Sequence, residues 1–282
     1  MDFTDHELSR RIEIADAANS RRCGETLAEH HPDMGACTVE VAGGRAIYAG
    51  VGSPITQAIG LGMGDGDAGA VNAAVMDGME QFFESRGARV EVETSPHCHG
   101  TLREHFDTRG YRALEWSNVL FQRLVPASAS EPAAGVEIRR ATIDQADLWA
   151  RLLCQGFAED LGEAAMTLMV VGKTLFLAAA AGYIAYVDGE PAGGGTIFVH
   201  DGGAGCVAGL MGAATLSRFR RRGVQSALLN ARLDFARSEG CNLAYTITAP
   251  GSGSQRNAER AGFRVAYTRT KFYKPMPLAG VN

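Results

Sequence analysis

The chain has 282 residues, of which 46% are hydrophobic and 21% charged, with a formal net charge of −5. That is a globular composition with material for one large or two ordinary domains, and its acidic balance argues against a general nucleic-acid binder, whose surface would be net basic. No run reaches the ~18 uninterrupted apolar residues of a membrane span, and residues 1–7 are acidic and lack the apolar core of a secretory signal, so the expected location is the cytoplasm, with no membrane partner.

From the N-terminus, residues 5–30 read as a helix and 37–41 as a strand. A second strand near 46–51 leads to a glycine-rich turn, 60–69, and then a helix to about Arg86. A glycine-rich turn before a helix can cradle phosphate. Here it carries Asp65 and Asp67 and no Lys or Arg, so a loop followed by a helix start is the stronger reading. Calcium would need a downstream bidentate Glu at loop spacing, which is missing. The six cysteines (Cys23, Cys37, Cys98, Cys154, Cys206 and Cys241) show no paired spacing and read as reduced, mostly buried thiols. His97-Cys98-His99, with His105, is the one cluster that hints at metal. Neighbours on an extended segment point to opposite faces and cannot converge on one ion, so no metal is expected.

Residues 125–135 are small, polar and Pro-rich, a linker composition. The chain is therefore divided into 1–125, a linker at 126–135, and 136–276. The second half opens with a strand at 136–140, a helix from Asp144 carrying Leu148, Trp149, Leu152 and Leu153, and another helix over 159–172. Residues 183–187 and 191–199 flank Asp188-Gly189 and read as a hairpin. After the loop 200–205 comes a strand at 206–214, a basic turn, and apolar residues at helical spacing: Val224, Ala227, Leu228, Ala231, Leu233 and Phe235. The first turn of a helix offers unpaired N–H groups and the positive end of the helix dipole, which suits a pyrophosphate. Gly223 lets a ligand approach the backbone, and Arg220, Arg221 and Arg222 add bidentate donors. A solvated basic loop before a helix is the alternative that spacing alone leaves open. The halves also echo each other. Phe82-Phe83-Glu84-Ser85-Arg86-Gly87 parallels Phe235-Ala236-Arg237-Ser238-Glu239-Gly240, and Asp107-Thr108-Arg109-Gly110-Tyr111-Arg112 parallels Glu259-Arg260-Ala261-Gly262-Phe263-Arg264. The offset stays between 152 and 154 residues, which reads as two copies of one fold.

Arg220-Arg221-Arg222-Gly223-Val224-Gln225 resembles the Q/R-x-x-G-x-G/A pyrophosphate loop of the GNAT acyltransferase superfamily. The segment from Ser254 to Gly262-Phe263 resembles the short helix that follows in that family after a helix and a strand. The resemblance spans 136–275, about half of the chain. It implies an α/β (α+β) fold with two GNAT-like domains, each a central mixed, mostly antiparallel sheet flanked by helices, the first degenerate and without the basic loop. It also implies acetyl-CoA as co-substrate, held by Ala214, Thr215, Leu216, Arg220, Arg221, Arg222, Gly223, Val224, Gln225, Ser226 and Asn257. The implied reaction is acetyl transfer to an amine of a small molecule or peptide by direct attack, the thioester carbonyl polarised by a backbone N–H within 211–214. A homodimer is left open.

Two positions depart from the family. Gln225 stands where a small residue is usual, so its side chain must point away from the phosphates. Ala258 stands where the family's general-acid Tyr falls, and 206–214 holds no Asp or Glu to act as base. Tyr267, Tyr273 and His200 are the remaining candidates, but buried Tyr and loop His are more often structural, and the catalytic residues stay unassigned. A tandem fold that senses or carries CoA without turnover is the alternative, and an interaction scaffold a third.

Overall fold

The computed structural model describes residues 5–64, 66–125, 135–157 and 164–275. In chain order its elements are helix α1 (His6–His30), strands β1 (Cys37–Val41), β2 (Gly44–Tyr48) and β3 (Gln57–Ile59), helix α2 (Ala73–Glu84), strand β4 (Glu91–Thr94), helix α3 (Gly100–Arg109) and strand β5 (Arg112–Arg123). There follow β6 (Val136–Arg140), α4 (Ala146–Phe157), α5 (Ala164–Ala178), β7 (Ala181–Val187), β8 (Glu190–Gly202), β9 (Gly205–Thr215), α6 (Val224–Ser238), β10 (Leu243–Thr248), α7 (Gly253–Arg260) and β11 (Arg264–Tyr273). The architecture is mixed α/β, as the sequence reading expects. The linker read at 126–135 lies outside the described residues except for Gly135, as do Asp65 and the start of the helix read at 159–172. The described part of that helix runs on to Ala178, because Phe176 stacks against the buried Trp149 ring at 5.7 Å between centroids.

The chain forms two compact units. One comprises the described residues up to Asn118 together with those from Ala266 onward; the other runs from Val119 to Val265. In the first unit β1–β2 and β2–β3 pair antiparallel, β3–β4 parallel, and β4–β11 antiparallel, with Tyr273 opposite Glu91. In the second, β7–β8 and β8–β9 are antiparallel and β9–β10 parallel, with β6 beside β7 and the end of β5 beside β10. The two units thus repeat one pattern of pairing. The repeat is in register with the sequence: β4 and β10 start 152 residues apart, as do β5 and β11. The strand beside β4 in the first unit and the one beside β10 in the second, however, each come from the other half of the sequence.

What ties β11 into the first unit is a buried ion cluster. Arg269 is fully buried and donates to Glu13 Oε1 at 2.8 Å and Asp16 Oδ2 at 2.7 Å, both on α1, while the Tyr267 hydroxyl donates to the same Glu13 oxygen at 2.7 Å. Burial works against the charge on Arg269, but the facing carboxylates outweigh it and hold the guanidinium above its ordinary value. Helix α1 presents Leu8, Ile12, Ala15 and Leu27 to the interior, and Asp5 caps it by accepting from the Leu8 N–H at 2.8 Å.

Packing places the cysteine and histidine side chains. Cys206 and Cys241 stand at disulfide-bonding distance, which corrects the expectation of six reduced thiols. The Asn242 N–H donates to the Cys206 carbonyl at 3.1 Å and so brings the preceding residue alongside, a parallel register that cysteine spacing does not reveal. Cys23, Cys37, Cys98 and Cys154 are free, and burial pushes the Cys23 thiol up to about 12. The three histidines turn to separate partners: His97 Nδ1 lies 2.6 Å from Ser9 Oγ, the His99 ring accepts from the Thr101 N–H at 3.3 Å, and His105 Nε2 lies 3.0 Å from the Val71 carbonyl.

Replacing Arg269 by Met leaves two carboxylates buried without their cation. The expected loss is roughly 3–5 kcal/mol, read as a lower urea midpoint. A fragment ending at residue 125 lacks Tyr267 and Arg269 altogether. It is expected to show no native-like circular dichroism, and a folded fragment would show that β11 is dispensable to the first unit.

Candidate functional site

The end of β9 is irregular, and the site is built on that irregularity. Gly194 of β8 lies opposite Ala214 and Thr196 opposite Met211, so two residues of β9, Gly212 and Ala213, face the single Gly195. This is a β-bulge, which takes backbone groups out of the ladder. Gly212 has φ +55°, and a Cβ there would stand 3.0 Å from the Trp149 ring. Glycine therefore supplies both the left-handed backbone and the room for the indole. On the other side, β9 pairs with β10 only from Val207↔Leu243 to Gly209↔Tyr245, so the bulge lies past the last rung of that ladder.

Beyond β9 a single 3-10 turn, Ser217–Phe219, leads to the basic loop. Arg221 (φ +64°) and Gly223 (φ +79°) both take left-handed backbone, and Gly223 is the N-cap of α6, with no side chain to serve as a cap. The Ala227 N–H, bonded to the Gly223 carbonyl at 3.0 Å, is the first to be satisfied within the helix. The N–H groups of Val224, Gln225 and Ser226 precede it and have no partner inside the helix.

These elements enclose a cleft of about 890 Å³. Its walls are Gly156 and Phe157 at the end of α4, Ala213, Ala214 and Thr215 of β9, Phe219, Arg220, Arg221 and Gly223 of the loop, Val224, Gln225 and Ser226 of α6, and Gly253, Ser254, Arg256, Asn257 and Arg260 of α7. Among the described residues, four guanidinium groups line it and no carboxylate does. Three of them make one bond each to a neutral acceptor: Arg220 to the Gly156 carbonyl (3.3 Å), Arg256 to the Gly251 carbonyl (2.8 Å) and Arg260 to Asn257 Oδ1 (3.3 Å). Each keeps further donors for an anion.

Nine of the eleven residues named from the sequence line this cleft: Ala214, Thr215, Arg220, Arg221, Gly223, Val224, Gln225, Ser226 and Asn257. Leu216 does not. Its side chain is buried in the core with Phe219 and Leu228, and its N–H donates to the Ala192 carbonyl at 2.9 Å. Arg222 does not either, because it turns to Asp188 in the β7–β8 turn at 2.8 Å, just as Arg218 turns to Glu190 at 3.2 Å. Gln225 swings to the strand end and donates from Nε2 to Thr215 Oγ1 at 2.9 Å.

Sequence reasoning missed Arg256 and Arg260, although their spacing of four places them on one face of α7. It also missed Gly156 and Phe157, which reach the cleft only through tertiary packing of α4. The proton-transfer candidates lie elsewhere. Tyr267 is held by Glu13 and Tyr273 lies under Arg89, at 4.9 Å from cation to ring centroid, both in the first unit. His200 pairs with Val207, at the opposite end of β9 from the bulge. Ala258 is buried in the core. Among the described residues, the lining contains no histidine, tyrosine, cysteine or carboxylate.

Residues 148–263 match the family model of the acetyltransferase (GNAT) family. No curated protein matches the chain. Among solved structures, the fold is similar to that of a GCN5-related N-acetyltransferase from Kribbella flavida, with TM-score 0.55 at 16% identity over 73% of this chain and 76% of that one. It is also similar to a tandem GNAT protein from the clavulanic acid biosynthesis pathway, with TM-score 0.54 at 16% identity over 81% of this chain and 77% of that one. At these identities the structures speak for the fold, and the family match speaks for the segment that holds the cleft. Residues 148–263 thus resemble the acetyltransferase (GNAT) family, and this stretch contains every residue that lines the cleft.

Proposed function

We propose that the second unit is an acyl-CoA-dependent N-acyltransferase that moves an acetyl group from acetyl-CoA to an amine of a small molecule or peptide. One juxtaposition carries this reading: a single cleft holds the unpaired N–H groups of α6, four guanidinium groups with no carboxylate among the described lining residues, and the β9 bulge. The first two features suit the phosphates of CoA. The bulge suits the thioester, since a freed N–H there can meet the carbonyl oxygen as it gains charge.

In the reaction the amine nitrogen bonds to the carbonyl carbon and the π pair moves to oxygen. That pair then returns as the C–S bond breaks, and the CoA sulfur leaves with its electrons. The ammonium proton passes to water, since none of the described lining residues is a base of the usual kind. What this site contributes is position and a polarised carbonyl. The lack of an acid and a base among the described lining residues favours the second reading, a chain that binds CoA to sense or carry it without turnover.

Calorimetric titration of acetyl-CoA into the full chain is expected to give one site. Gly223→Glu is expected to abolish it, since the side chain is strained at φ +79° and its carboxylate opposes phosphate; unchanged affinity would sink the loop assignment. Arg220→Gln and Arg256→Gln are each expected to weaken binding roughly 10–100-fold, the loss of a charge-assisted hydrogen bond. Amine-dependent release of free CoA thiol separates turnover from sensing.

A further inference from the structure

Just over two turns into α6, Arg232 is 3% exposed and its guanidinium lies against β8. Nε donates to the Leu228 carbonyl at 3.0 Å and Nη1 to the Thr196 carbonyl at 3.3 Å. Among the described residues no carboxylate pairs with it. The titratable group whose field acts on it is the Tyr183 hydroxyl of β7, which burial pushes up so that it stays neutral. Burial also lowers the guanidinium to about 10, which leaves it charged at neutral pH. The fold makes room for it: a Cβ on Gly195 would stand 3.1 Å from the Arg232 Cζ. A buried cation without a counter-ion is unfavourable, while its neighbours on α6, Leu228, Leu229 and Leu233, fill this interior with apolar bulk.

The charge is placed beneath the bulge. Gly195 is the β8 residue that faces Gly212 and Ala213. Thr196, whose carbonyl accepts from Arg232, gives its own hydroxyl to the Met211 carbonyl at 2.9 Å, immediately before Gly212. With neighbouring strands ~4.8 Å apart, the guanidinium stands about 8 Å from the bulge amides. Ala213, in that bulge, lines the cleft.

We propose that Arg232 is a positioning residue of the acyl-transfer site: it holds the bulge through Thr196 and sets a fixed positive charge behind it, whose counter-charge is the one that forms on the thioester oxygen and departs on the CoA sulfur. This inference rests on the acyl-CoA reading above. A preorganised charge in a water-poor interior stabilises developing negative charge without reorganising during the reaction. It acts equally on the thiolate of bound product, which supplies a readout that needs no acceptor amine.

The test is the titration of the CoA thiol in complex with the full chain, followed by thiolate absorbance against an S-methyl-CoA complex as blank. In the wild type the bound thiol is expected to titrate about 1.5 pH units below free CoA, the size of a unit charge at about 8 Å in an effective dielectric of about 20. Arg232→Gln is expected to remove that shift while calorimetric affinity for CoA stays within about threefold, since it leaves the phosphate-binding groups in place. Arg232→Lys, which keeps the charge, is expected to retain most of it. Wild type that binds CoA with an unshifted thiol overturns the proposal without any variant, and so does an equal shift in wild type and Arg232→Gln. Wild type that binds no CoA overturns the acyl-CoA reading and this inference together.

Discussion

The second unit depends on the departure of β9 from both of its neighbours. A strand fully paired on either side has no backbone group to offer a ligand. Here the ladder to β10 ends at Tyr245↔Gly209, and the ladder to β8 is broken by the extra residue at Gly212-Ala213. The interruption is written into small residues. Gly194 faces the Trp149 ring so closely that a Cβ would come within 2.7 Å of its Nε1, and Gly195 gives the same closeness to Arg232. Larger side chains would push the indole and the guanidinium off the sheet, and with them the packing that holds the bulge from both faces.

Electrostatics then sorts the basic turn. Of its four arginines, Arg218 and Arg222 meet Glu190 and Asp188 of the β7–β8 hairpin, and Arg220 and Arg221 face the cleft. Exposed pairs of this kind contribute roughly 0–1 kcal/mol, so they matter little for stability. Their consequence is geometric: two cations are drawn to one side of the loop, and the left-handed turn at Arg221 carries its neighbours to the other. The cleft obtains its remaining cations from Arg256 and Arg260, one turn apart on α7.

Much of this was legible in the chain. Helical spacing, the Asp-Gly turn and the sequence echo at a near-constant offset foretold the elements and their repetition, because those signals are local. The exchange of β5 and β11 was not, since nothing local in either says which β-strand it will flank; Arg269 reads as an ordinary strand residue until Glu13 and Asp16 are placed opposite it. Leu216 and Arg222 were misjudged for a related reason. A six-residue motif gives the path of the backbone but not the side on which each side chain falls, and that side was decided by Ala192, Asp188 and the core around Leu228. The Cys206–Cys241 contact likewise needs a parallel register that only the assembled sheet supplies.

The repeat offers a comparison between one crossover and its counterpart. In the first unit the path from β3 to α2 carries Leu61 and Met63, both 1% exposed in the core, and ends at Asn72, whose side-chain oxygen accepts from the Val75 N–H at 3.0 Å. In the second, the path from β9 to α6 carries arginines and ends at Gly223, which has no side chain to do the same. A capped helix start has already satisfied one of the donors that would meet a phosphate. An uncapped one keeps that need for a ligand. One fold thus appears twice in this chain, with the helix after its crossover capped by a side chain in the first unit and uncapped in the second, and that difference comes down to the residue at the N-cap, Asn72 against Gly223.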